Sequence, residues 1–114
     1  MLAVPSPRIG RRVRTDEALV NALRALAQGH GELITHAQRS WASITFAGAR
    51  HQITLAFDGA EAVAGGEQLI AELPEADLQV PRHLVADAAI DGTMHRAAPP
   101  RLVVDVEILL LEEC

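Results

Sequence analysis

The last thirty residues limit this chain's possible folds more than any other segment. His83 to Arg96 alternates, Ala97-Ala98-Pro99-Pro100 turns the chain, and Leu102 to Leu111 is almost continuously apolar. This pattern predicts a long antiparallel hairpin. In its second strand Val104, Val106, Ile108 and Leu110 share one face, while Val103, Leu109 and Leu111 lie opposite beside Asp105 and Glu107. A small two-layer domain covers one sheet face with helices and leaves the other wet. Apolar surplus on the second face therefore predicts a second subunit, a partner or a ligand. Matching the apolar faces sets Ile90 against Val106 or Ile108, with Gly92 as the place for a bulge. Leu84, Ala86, Ala88 and Ile90 then point inward, and Val85, Asp87, Ala89, Asp91 and His95 outward.

Upstream, Thr15-Asp16-Glu17 reads as a helix start, Leu19, Leu23 and Leu26 as its buried stripe, and Gly29 as its stop. Period-two patterning from Glu32 to Phe57, with Arg39-Ser40 and Gly48-Ala49 as turns, predicts a three-stranded meander. A second helix is expected from an Asp58-x-x-Glu61 capping box to Leu73-Pro74. Gly65-Gly66 interrupts that helix and implies close approach to the sheet or the first helix, since two glycines cost about 1 kcal/mol each relative to alanine. Ala76 to Val80 reads as a short extended segment broken by Pro81.

The expected fold class is α+β. Two helices pack on one face of a mostly antiparallel sheet of five or six strands, ferredoxin-like if the N-terminal arm adds a strand. Residues 1–14 form that Arg-rich arm, frayed or an edge strand, and residues 15–114 form one domain. Alanine dominates the apolar residues, and only Trp41, Phe46 and Phe57 are aromatic, so the core is thin and a homodimer would add the buried area a monomer lacks.

The net charge is −5 and all ten basic residues are Arg, four of them at Arg8, Arg11, Arg12 and Arg14. Outside that arm the chain is acidic, which disfavours nucleic acid as a partner. No segment has the ~18 apolar residues of a membrane span, and the start lacks a signal-peptide pattern. The lone Cys114 excludes an intrachain disulfide and fits a reducing compartment, so a cytoplasmic location is expected.

No nucleophile elbow, dinucleotide loop or Cys/His metal spacing occurs, so no cofactor and no catalytic residue is assigned. Asp87, Asp91, Asp105 and Glu107, with His95 near the turn, form an acidic outer face whose carboxylates are a weak divalent-metal candidate. A solvated, edge-protecting face is the better reading of those acids. On the meander, Trp41, His36, Ser43 and Thr45 are expected as outer-face neighbours, with His36 opposite Ser43. A His beside a hydroxyl lacks a carboxylate orienter here, so the group reads as a contact surface.

The expected function is a non-catalytic, homodimeric interaction module. Its interface is Ile34, His36, Trp41 and Thr45 with Val103, Leu109 and Leu111. The alternative is a small-ligand binder or enzyme whose cleft lies at the dimer interface.

Overall fold

A computed structural model describes residues 7–113, with side chains from residue 14 onward. Two helices and four strands follow in the order α1 (Pro7–Leu26), β1 (Glu32–Ala42), β2 (Ala47–Asp58), α2 (Ala60–Glu72), β3 (His83–Arg96) and β4 (Arg101–Glu112). A 3-10 turn, Leu73–Glu75, follows α2 at the expected Leu73-Pro74 stop. The strands form one wholly antiparallel sheet ordered β1-β2-β4-β3. The class is α+β, but the sheet has four strands rather than five or six. A ferredoxin-like arrangement is overturned as well, because residues 7–14 are the opening turns of α1 and supply no strand. Thr15 accordingly lies inside α1 and does not cap it.

The predicted meander is a single hairpin. Arg39 and Ser40 stay in β1, paired with Arg50 and Ala49 of β2. Gly48 is a close-approach glycine, not a turn: a Cβ there would lie 1.9 Å from the Leu110 carbonyl oxygen. The chain reverses instead at residues 43–46, where the Phe46 N–H donates to Ser43 Oγ (3.1 Å) and the Ser43 N–H to the Phe46 carbonyl (2.7 Å). Residues 76–80 contribute only an isolated bridge between Val80 and His83.

Leu19, Val20 and Leu23 bury one stripe of α1, and Ala27 continues it into the turn that follows. That helix closes in a Schellman turn: the left-handed φ of Gln28 (58°) carries the Gly29 N–H back to the Arg24 carbonyl at 2.8 Å, while the Gln28 N–H donates to the Ala25 carbonyl at 3.2 Å. The capping box expected for α2 is absent: Gly59 occupies the N-cap, and Asp58 is engaged by Arg101 instead. Gly65 and Gly66 do mark close approach. A Cβ on Gly65 would lie 2.4 Å from the Ala27 carbonyl oxygen, and one on Gly66 would lie 2.8 Å from the Phe57 and Leu102 side chains. Helix α2 thus touches α1 on one side and the sheet on the other.

The core lies under these helices, where Ile53, Leu55 and Phe57 of β2 meet Leu102, Val104, Val106, Ile108 and Leu110 of β4. Burying each large side chain removes apolar surface worth about 1.5–3 kcal/mol. Of the two expected registers, Ile90 against Val106 or against Ile108, the hairpin takes the first. A bulge just after Ile90 sets Gly92, not Asp91, opposite Asp105 and so separates the two acids. A second irregularity between Val85 and Asp87 aligns Val85 with core-facing Leu110 and Leu84 with Leu111, opposite to strict alternation.

This register also corrects the expected surplus on β4. Leu109 and Leu111 are each only 7% exposed within a single chain, and Val103 is half-buried. In their rows Leu109 stands between Arg50 and Asp87, and Leu111 between Gly48 and Leu84. The exposed large apolar side chains lie elsewhere, at Leu33 and Ile34 of β1, Ile44 and Phe46 of the β1–β2 tip, and Leu84 and Met94 of β3.

Candidate functional site

Because β1 continues unbroken to Ala42, alternate residues of β1 and β2 meet beneath α1. Gln38 stands opposite His51 and His36 opposite Ile53, so the two histidines are diagonal neighbours on the helix-covered face. Their ring centroids are 5.1 Å apart at 57°. His36 Nε2 and His51 Nδ1 are 2.8 Å apart and share a hydrogen bond, one nitrogen donating and the other accepting. Asp16 reaches the pair from α1, and one donor atom from each of the three residues lies within 4.8 Å of the other two.

His51 is the buried polar residue among the described core positions, 3% exposed. Burial pulls its pKa from the ordinary 6.5 down to about 4, with further lowering from His36 and His83 and an opposing pull from the Asp16 carboxylate. Its imidazole is therefore neutral at pH 7. Asp16 Oδ1 is buried and accepts no hydrogen bond. An unmet buried acceptor costs about 1–3 kcal/mol, more when it carries charge.

Beside this trio opens a cleft of about 470 Å³, lined by Asp16, Gln38, Ser40, His51, His83 and Glu112 among others. That volume suits a small ligand. His83 Nδ1 donates to the Pro81 carbonyl at 2.9 Å, an arrangement that leaves Nε2 as the ring's other hydrogen-bonding atom.

The expected cluster of His36, Trp41, Ser43 and Thr45 is taken apart by the same register. His36 and Trp41 are five residues apart in one strand and so face opposite sides of the sheet; Trp41 pairs with Gly48, and Ser43 and Thr45 lie in the tip. The acidic candidates are dispersed as well. Asp105 accepts a 2.6 Å hydrogen bond from Thr54 Oγ1, Glu107 stands 3.7 Å from Arg50, Asp87 pairs with Leu109, Asp91 is bulged out and His95 pairs with Leu102. Among the described residues these five form no group whose donor atoms are close enough to share an ion.

Asp16 and His51 were not singled out from the sequence as site residues, although a signal for each was available. Asp16 continues the spacing of Val20, Leu23 and Ala27, which puts a carboxylate in line with a buried helical stripe. His51 alternates with Ile53 and Leu55 on the core face.

No family model matches the chain, and no curated relative does either. Among solved structures, a chain in the "Virion of native gene transfer agent (GTA) particle" has the same fold. The match has a TM-score of 0.53 and 21% sequence identity, and it covers 86% of this chain and 91% of that chain.

Proposed function

We propose that the chain is a non-catalytic structural subunit that associates with copies of itself through the outer edge of β1 and the β1–β2 tip. The observation that carries this reading is the contrast between the two sheet edges. The β3 edge has two register irregularities and carries Asp87 and Asp91, devices that keep an edge from pairing. The β1 edge has one irregularity and presents Leu33, Ile34, Ala37 and Trp41 along eleven residues, leading to a tip where Ile44 is fully exposed and Phe46 half so. A strand of this kind is a template for addition of another strand.

The likeness to a chain from a virion particle, an object built of many subunits, supports an assembly role. Of the contact residues expected from sequence, Ile34, Trp41 and Thr45 lie on this edge and tip. Light scattering coupled to size exclusion tests the reading with wild type and the Ile34→Lys/Ile44→Asp variant. The expected outcome is a dimer for wild type and a monomer for the variant. A wild type that is monomeric at every concentration overturns it.

A further inference from the structure

We propose that Asp16, His36 and His51 form a binding site for a first-row transition metal, Zn²⁺ foremost, with one coordination position open to the neighbouring cleft. The inference is independent of the assembly reading. Three observations converge on it. One donor atom from each residue already lies within 4.8 Å of the others, although the residues come from α1, β1 and β2. The Asp16 Oδ1 acceptor is buried without a partner. The two imidazoles meet nitrogen to nitrogen at 2.8 Å, an arrangement that has one proton to share between them.

A divalent cation satisfies all three groups at once, replacing the shared proton and neutralising the carboxylate. Two imidazole nitrogens and one carboxylate oxygen are a borderline-soft set, suited to Zn²⁺ or Co²⁺ rather than to Ca²⁺ or Mg²⁺, which prefer oxygen ligands throughout. With metal–nitrogen bonds of about 2.0–2.1 Å in a tetrahedron, the nitrogens would stand roughly 3.3 Å apart. They therefore need to separate by only about half an ångström from the present contact. His36, half-buried on the edge strand β1, can give that much without disturbing the core. Three protein ligands leave a fourth position, and Asp16 and His51 also line the cleft, so the fourth position faces water or a small ligand there.

The test uses untagged full-length protein and Zn²⁺ or Co²⁺ alone, with isothermal titration and the visible absorption of tetrahedral cobalt as readouts. One ion per chain is expected, with affinity at least tenfold weaker in Asp16→Asn and in His36→Gln. Cys114→Ser is expected to bind as wild type does. In wild type, ring-nitrogen NMR is expected to shift at both His36 Nε2 and His51 Nδ1 on adding Zn²⁺, a readout that survives even if a variant folds poorly. No stoichiometric binding, unshifted ring nitrogens, or binding abolished by Cys114→Ser alone overturns the site.

Discussion

Asp58 and Arg101 are partners twice over: they face each other as the last rung between β2 and β4, and Arg101 Nη1 lies 2.7 Å from both carboxylate oxygens of Asp58. The pair clamps the sheet where the chain leaves β2 for α2 and where it enters β4 from the β3–β4 turn. Both side chains are partly exposed, so solvent screens most of the Coulomb energy. A double-mutant cycle of Asp58→Ala and Arg101→Ala, read by urea denaturation, is expected to give a coupling of about 0.5–1 kcal/mol. A coupling of zero would mean the clamp is only geometric.

Gly65→Ala pits helix propensity against space. Alanine would gain about 1 kcal/mol as a helix former. Its methyl would, however, lie 2.4 Å from the Ala27 carbonyl oxygen, a backbone atom that cannot move aside cheaply. Overpacking of this kind costs about 1–3 kcal/mol or more, so net destabilisation is expected. Gly92→Ala is the control, because its nearest neighbour is Asp105 Oδ2 at an ordinary 3.5 Å. Melting temperatures should fall for the first and change little for the second; equal effects would rule out the steric argument.

Stability should depend on acid through His51. Its folded pKa of about 4 lies below the unfolded 6.5, so the unfolded chain takes up the proton first as pH falls. The contribution is whole above pH 6.5 and is lost progressively between 6.5 and 4, amounting to about 3 kcal/mol. Denaturation curves in the presence of a chelator, wild type against His51→Gln, measure it. The variant is expected to lose distinctly less stability over that interval, and identical slopes would contradict the assignment.

Phe57 is wholly buried, and its ring edge packs against Gly31 and Gly66. Phe57→Ala leaves a void between α2 and the sheet and is expected to cost about 3–5 kcal/mol. Urea unfolding should show this as a lower midpoint at unchanged slope. A loss below about 1 kcal/mol would mean that the site collapses around the smaller side chain.

Some of this was legible in the sequence because apolar patterning admits few solutions. Ile90 must oppose a core residue of β4, and Val106 is one; Gly92 absorbs the resulting slip beside it. Gly65-Gly66 could be read as contact because nothing else offsets their cost inside a helix. The hairpin tip was hard to read: Ser43-Ile44-Thr45-Phe46 offers only Ser43, a weak turn former, and no Gly, Asn, Asp or Pro, while Gly48, which resembles a turn residue, serves a close backbone approach. Displacing that turn moved His36 to the wrong face and hid the histidine pair. Asp16 was obscured because a Thr-Asp-Glu run matches a helix start, whereas α1 begins at Pro7. The burial of Leu109 and Leu111 was not legible either, since strand alternation says which face a residue takes and not how much of it is covered.

The inequality between the β1 and β3 borders also bears on stoichiometry. Were both hospitable, each newcomer would offer a fresh seam to the next, and the product would be an open-ended fibre. On the proposed association, with β1 as the receptive border, two protomers meeting there about a twofold axis would make one continuous eight-stranded sheet whose outer limits are both β3. Growth through such a seam would end at a pair, and a larger ensemble would need a different surface.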